Sequence, residues 1–359
     1  MDDKSDQRTA SAVIEPMPPK LPVPPSLLDL ARNQAGLVSS EQCDAAGAGP
    51  SVRRNLVARG GWRRLTRGVY DTGRTPDDLH PFDVDRLRAA WTALLANRHA
   101  IAVGACALVL HGVQGLPRRI TPEATFARGV ARRSRDGITF RQYASELATV
   151  EVQGRQVVEI VQALAQALPT LSRDQAVACL DSALHQGLIN AEDLTAIRRR
   201  LVNRRGSRRV LDWLPLADGR AESPPESHAR LRLHDAGIAP DDLQRDFFDE
   251  RGRFLGRADL AWHLGAGRWL IVEIDSREFH GADRQVRHDA VRQNGLAGEG
   301  QNIVLRFFPG HVTGGHLAGE VALVLRREGW QPDCALPPRP ARWRSTAGQR
   351  GHRQRAQPE

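Results

Sequence analysis

The sequence predicts an α+β protein of several domains: a small helix-and-hairpin unit near the N-terminus, a helical to mixed middle, and a C-terminal α/β core. Three observations predict it. At 359 residues the chain is long for one domain, so two or three are expected. The apolar pattern changes along the chain, from short amphipathic segments, to helix-spaced positions i, i+3, i+4, to β-rich runs after about Glu222. Both ends are rich in Pro or in charged and polar residues, so residues 1–25 and 333–359 are expected to be disordered. A hydrophobic content of 41% is ample for real cores.

The formal charge is +9, which suits a polyanionic partner. Lysine occurs only at Lys4 and Lys20, so the positive charge is nearly all arginine, and its distribution matters more than its total. No run of about 18 apolar residues exists, and no membrane span is expected. The N-terminus lacks the apolar core of a secretory signal. The four cysteines form no CxxC pair, so neither zinc nor a disulfide framework is suggested. A cytoplasmic location is the default expectation.

Residues 26–78 read as three short helices and two strands. "SLLDLARNQ" has Leu27, Leu28, Leu30 and Ala31 at helical spacing. "SSEQCDAAG" opens with Ser39 and Gln42, the spacing of a capping box. "PSVRRNLVARG" has Pro50 at its start and Gly60 at its end. "WRRLTRGVYDTG" reads as a hairpin turning at Arg67-Gly68. This is the element order of a winged helix-turn-helix. Between Ala45 and Tyr70 there is no acid and there are six arginines: Arg53, Arg54, Arg59, Arg63, Arg64 and Arg67. They fall on the third helix and the hairpin, the two elements that meet DNA in this motif. Two readings stand, a DNA-binding face or a solvated basic face.

Residues 79–210 read mostly as helices with a few short strands. "DVDRLRAAWTALLAN", "AIAVGACALVLHGV", "VVEIVQALAQAL" and "DQAVACLDSALHQG" are each expected as helices, and "GITFRQYA" as a strand. His111 and His185 lie near helix ends and read as capping or satisfied histidines. The acid-free stretch "IRRRLVNRRGSRR" either touches phosphates or is a solvated helix end and linker.

Residues 218–332 are expected to run α-β-β-β-α-β-α. In "IVEIDSREFHG", strand alternation puts Glu273 and Asp275 on the face of Ile271, and Val272 and Ile274 on the other. Two carboxylates side by side need a cation between them. Asp259, in the preceding strand, and Glu226, in the helix before it, would join them. Carboxylates converging from separate elements make a hard-oxygen site suited to Mg²⁺ or Mn²⁺. His280, just past the strand, would take or give a proton near neutral pH.

The segments Glu226, Gln244, "RADLAW", "VEIDSREFH", "HDAVRQN" and "IVLRF" occur in the order of a PD-(D/E)XK nuclease core, and this region resembles the very-short-patch-repair endonucleases. The resemblance covers residues 222–330. It implies a restriction-endonuclease-like fold, Asp259 and Glu273 as metal ligands, Asp275 and His280 as site residues, and Glu226 as an accessory acid. Asp289 and Arg292 would flank the site, and Arg306 closes the last motif. Two departures stand out: Asp275 occupies the place of the motif lysine, and Ser276 replaces the usual glycine. The alternatives are a metal-dependent endonuclease, a repair nuclease among them, and a degenerate core that binds DNA or a partner without cutting.

The N-terminal stretch up to "RGVY" (Arg67–Tyr70) resembles the winged helix-turn-helix of AbiEi-type antitoxins of type IV toxin–antitoxin systems, and "AVGACALVLHGVQGLP" resembles their second region. That likeness covers residues 26–205. It implies DNA binding with autoregulation of a promoter, with DNA and a cognate toxin as partners.

Overall fold

The computed structural model describes residues 23–76, 78–127, 133–143, 147–249, 251–275, 302–332 and 335–339. The chain divides into two compact units, Met1–Leu79 and His80–Glu359.

In the first unit, α1 (Pro25–Asn33) begins on a proline, where the missing N–H costs nothing. The strand β1 (Leu37–Ser39) leads into α2 (Ser40–Ala45). The expected capping box is present: Ser39 Oγ accepts from Gln42 N at 3.1 Å, and Gln42 Oε1 accepts from Ser39 N at 2.8 Å. Then come α3 (Pro50–Ala58), β2 (Arg63–Thr66) and β3 (Val69–Asp71). Gly68, at φ +82°, makes the β2–β3 turn. The sheet order is β1-β3-β2, all antiparallel. β1 is an addition to the two strands expected; its three residues are too few to show a period. Leu27, Ala31, Val38, Cys43, Ala48 and Trp62 form the core.

Among its described residues the second unit holds two sheets. Its first part contains α4 (Pro81–Leu95), β4 (Ala100–Ala102), α5 (Gly104–Leu110), β5 (Glu123–Phe126), β6 (Thr139–Phe140), β7 (Thr149–Val152), β8 (Arg155–Val158), α6 (Ile160–Ala167), α7 (Arg173–His185), α8 (Ala191–Leu201) and α9 (Ser207–Trp213). The strands form a mixed sheet of order β6-β5-β4-β8-β7. Two stretches expected as single helices are corrected. "AIAVGACALVLHGV" splits into β4 and α5, with Gly104 at φ +54° at the junction. "VVEIVQALAQAL" gives the end of β8 and then α6. In the first, strand and helix residues are all apolar; in the second, Val157 and Val158 run into the apolar face of α6, so helical spacing did not separate them. The arginine-rich stretch 197–209 forms the exposed end of α8, a connecting turn, and the start of α9.

The second part contains α10 (Pro224–Asp235), β9 (Asp242–Phe248), β10 (Phe254–Gly265), β11 (Arg268–Ile274), β12 (Ile303–Phe307), a short helix Pro309–Thr313 and a C-terminal helix His316–Arg327. The sheet order is β12-β11-β10-β9. The first three strands make an antiparallel meander, and β11 and β12 are parallel. The helix expected between β11 and β12 lies outside the described residues. Leu260, Trp262, Leu270, Val272, Ile274 and Phe307 pack on Ala229 and Leu233 of α10 and on Leu317, Val321 and Leu325 of the C-terminal helix. Ala258, Ala261, Trp269 and Ile271 form a smaller cluster of their own. Burial of Val272 and Ile274 in one cluster and Ile271 in the other agrees with the alternation read from sequence.

Ion pairs bind the two parts. Arg230 reaches the buried Asp181 of α7 at 2.9 Å, and Arg232 reaches Asp174 at 2.6 Å. The expectation of disorder from residue 333 onward is corrected at Ala335–Arg339. There the Arg339 guanidinium bonds the buried Asp242 carboxylate and the Leu243 carbonyl, fastening the segment to β9. No helix among the described residues is long and apolar enough to cross a membrane.

Candidate functional site

Five elements, α10 and the four strands β9–β12, build a polar cluster in the C-terminal part. The β10–β11 ladder runs to the pair Leu260–Val272. One step further, Asp259 stands opposite Glu273. There the Asp259 side chain takes over from the ladder, its Oδ2 accepting from Ile274 N at 2.7 Å. On β9, Gln244 sits at φ +51°, a left-handed conformation inside a strand. Such a residue costs on the order of 1–3 kcal/mol and persists where its surroundings fix it. Its carboxamide donates to Glu226 Oε2 at 2.9 Å and to Asp259 Oδ1 at 3.4 Å. Glu226 comes from the first turn of α10 and also accepts from Glu222 N at 2.9 Å and Ser223 Oγ at 2.7 Å. Burial pushes its carboxyl above the usual range, against these hydrogen bonds.

Glu273 is 6% exposed. Its cation comes from β12, where Arg306 is its register partner and donates to Oε2 at 2.7 Å. Asp275 lies just past β11, its N–H donating to the Phe307 carbonyl at 2.9 Å. The structure therefore links Glu226 to Asp259 through Gln244, and sets Glu273 across from Asp259 and against Arg306. Among the described residues no group of three or more His, Cys, Asp or Glu side chains is arranged to hold a metal ion. Asp259 and Glu273 have the oxygen chemistry a hard divalent ion takes. His280, Ser276, Asp289 and Arg292 lie outside the described residues. The Arg306–Glu273 pair was not foreseen, although both residues were singled out; its signal is the parallel register of "LIVEI" against "IVLRF".

In the N-terminal unit the six arginines divide. Arg54, Arg59, Arg63, Arg64 and Arg67 are exposed on α3, its C-terminal end and the hairpin. Arg53 is 6% exposed. Its guanidinium donates to the Ala48 carbonyl at 2.9 Å, to the Ser40 carbonyl at 3.3 Å and to the Asp44 carboxylate, and lies 5.8 Å from the Tyr70 ring centre. Arg53 thus ties α2, α3 and β3 together. Arg63 reaches Asp71 at 3.3 Å across the hairpin, and Arg64 bonds the Thr66 carbonyl at 3.4 Å. This face presents exposed guanidinium groups, donors that phosphate oxygens accept.

Elsewhere, the histidines read as satisfied meet backbone carbonyls. His111 Nε2 lies 2.8 Å from the Val158 carbonyl, and His185 Nδ1 lies 3.3 Å from that of Gly219. Cys43, Cys106 and Cys179 are buried and unpaired. Burial pushes their thiols up to about 11, 12 and 12, which leaves them poor nucleophiles.

The exposed-arginine unit coincides with a family match: residues 25–70 fit the family described as "Transcriptional regulator, AbiEi antitoxin". That span runs from the first residue of α1 into β3 and supports the likeness to AbiEi-type antitoxins over those residues; the second region of likeness lies beyond it. Two relatives extend further along the chain. They are "Uncharacterized protein MT2308" of Mycobacterium tuberculosis strain CDC 1551 / Oshkosh and "Uncharacterized protein Rv2248" of strain ATCC 25618 / H37Rv. Each is 29% identical over 253 residues, spanning 69% of this chain and 86% of the relative.

Proposed function

We propose that the protein is a DNA-binding transcriptional regulator of the antitoxin type, reading its own promoter through a winged helix-turn-helix made of α1–α3 and the β2–β3 hairpin. The observation that carries this reading is the coincidence of the family match at residues 25–70 with the exposed arginines of α3 and the hairpin. DNA is the first partner and a cognate toxin the second. α3 would enter the major groove while Arg63, Arg64 and Arg67 on the hairpin meet flanking phosphates. The test is electrophoretic mobility shift on the promoter fragment. Wild type is expected to bind with steep salt dependence, and Arg54→Ala with Arg64→Ala to weaken binding. Equal affinity for the promoter and a scrambled fragment would overturn the reading.

A second reading is favoured by the placement of Asp259 opposite Glu273: the C-terminal part is a nuclease-like core that cleaves DNA. Asp259 and Glu273 would hold Mg²⁺ or Mn²⁺, which when bound polarises a phosphate and lowers the pKa of a bound water. Gln244 and Glu226 would orient Asp259, Arg306 would orient Glu273, and His280 would take or give the proton. Asp275, in the lysine's place, supplies no cation to the phosphate. Plasmid nicking with Mg²⁺ or Mn²⁺ tests this. Nicking lost in Glu273→Ala supports it; no nicking by wild type leaves a core that binds DNA or a partner without cutting.

A further inference from the structure

The arginine-rich stretch of the second unit has a defined shape. Between Arg198 and Arg209 there are seven arginines and no acid. Six of them, Arg198, Arg199, Arg200, Arg205, Arg208 and Arg209, are exposed on the last turn of α8, on the connecting turn and on the first turn of α9. Beside them lies a groove of ≈ 770 Å³, lined by Pro169, Thr170, Arg205, Gly206, Arg208, Arg209 and Asp212. The lining thus holds three arginines and one acid.

The groove wall is held in place. Gly206, at φ +79°, makes the turn, and a Cβ there would meet the Pro169 carbonyl oxygen at 3.3 Å. The buried Ser207 closes the turn, its Oγ donating to the Arg204 carbonyl at 2.7 Å. Arg204 itself turns inward to the Ala165 carbonyl at 3.3 Å. Arg209 donates to the Pro169 carbonyl at 2.9 Å and lies 5.4 Å from the Trp213 ring centre. A solvated helix end needs none of this. Fixing the Arg209 side chain before binding reduces the entropy it loses on contact with a partner.

We infer that this ridge is a second DNA-contacting surface, binding the phosphate backbone without reading sequence. Charge complementarity selects the partner: a row of guanidinium groups with almost no acid matches a duplex, which carries one negative charge per about 1.7 Å of axis. The row continues from the groove onto α8, beyond the reach of a single small anion. The inference rests on the DNA-binding reading above and assigns part of the affinity to the second unit.

The test uses the full chain, with fluorescence anisotropy on the promoter duplex and a scrambled duplex across a salt series. Neutralising Arg205 and Arg208, which neither stack on Trp213 nor bond Pro169, is expected to reduce the slope of log K against log salt by about 1.8. Both duplexes should lose affinity by a similar factor. Arg205→Lys with Arg208→Lys should keep the wild-type slope, which separates phosphate contact from a folding defect. An unchanged slope in the alanine pair, with wild type still binding, would overturn this inference and leave the regulator reading standing. Displacement of DNA by low concentrations of inorganic phosphate would also overturn it, in favour of a small-anion site. No binding of either duplex by wild type would remove both readings.

Discussion

Gln244 donates to Glu226 Oε2 at 2.9 Å from a left-handed backbone position in the middle of β9. An amide NH₂ carries two protons, and the second points to Asp259 at 3.4 Å. One neutral donor therefore lies between two acids that would otherwise repel each other. The backbone strain at Gln244 and the desolvation of Glu226 are the local costs of this arrangement.

The first prediction follows from that desolvation. Burial raises the folded-state pKa of Glu226 above its unfolded value. Between the two values the native state holds more protons than the unfolded chain, so stability falls as pH rises through that window. Glu226→Gln removes the titration. The Gln oxygen can still accept from Glu222 N and Gln244, and the new NH₂ can donate to the Ser223 hydroxyl once it rotates. The variant should lie within about 1 kcal/mol of wild type at acid pH. It should lose the decline toward neutral pH in urea melts taken across a pH series. Retention of the wild-type decline would assign it to another group.

The second prediction concerns Glu273 and Arg306. Glu273 is buried, and Arg306 supplies a charge-assisted bond at 2.7 Å. Removing one partner of a fully buried pair costs about 3–5 kcal/mol. The Arg306 side chain is 27% exposed, so Arg306→Ala should cost less, on the order of 2 kcal/mol. Glu273→Gln keeps the shape and removes the charge, and should cost less again. Chemical denaturation of the three proteins checks the order; equal stability of wild type and Arg306→Ala would contradict it.

Much of this was legible in the sequence. Helix starts with side-chain or proline signals, Ser39 with Gln42 and Pro50, lie where expected because the signal is local. Glu273 of β11 lies next to Ile274, whose N–H bonds Asp259 of β10, because an antiparallel meander fixes the register of the two strands. What stayed hidden depends on tertiary burial. Strand and helix in "AIAVGACALVL" are both apolar throughout, so only the turn at Gly104 divides them. Arg53 looks like its neighbour Arg54 in sequence, yet one is enclosed and the other exposed. The binding of Arg339 to Asp242 spans 97 positions, and composition alone made that segment read as a free tail.

The third prediction uses the contrast between Arg53 and Arg54. Arg53→Lys keeps the charge but cannot reproduce the set of bonds to Ser40, Asp44 and Ala48. It should destabilise the N-terminal unit by on the order of 1–3 kcal/mol, and weaken DNA binding through loss of fold. Arg54→Ala should leave the melt within about 0.5 kcal/mol and weaken binding directly. Thermal melts followed by circular dichroism, read beside mobility shifts, separate the two. A full-strength fold in Arg53→Lys with impaired binding would place Arg53 at the DNA instead.

The last prediction compares two glycines with positive φ. At Gly115 (φ +94°) a Cβ would lie 2.7 Å from Ala178 Cβ, 2.8 Å from the Ala178 carbonyl carbon and 2.9 Å from Cys179 N. Two of those atoms are backbone in the middle of α7, which cannot move without disturbing the buried Ala178, Cys179 and Leu180. At Gly104 (φ +54°) the obstacle is the Glu123 carboxylate. That group ends a side chain and can turn away, losing its bonds to Ala105 N at 3.2 Å and to Arg141 at 2.9 Å. Both alanine substitutions carry the left-handed strain, but only Gly115→Ala adds overpacking against fixed backbone. Gly115→Ala should therefore cost about 3 kcal/mol or more, and Gly104→Ala about 1–2 kcal/mol. Melting temperatures should fall in that order, and a reversal would mean that α7 yields more readily than the Glu123 side chain.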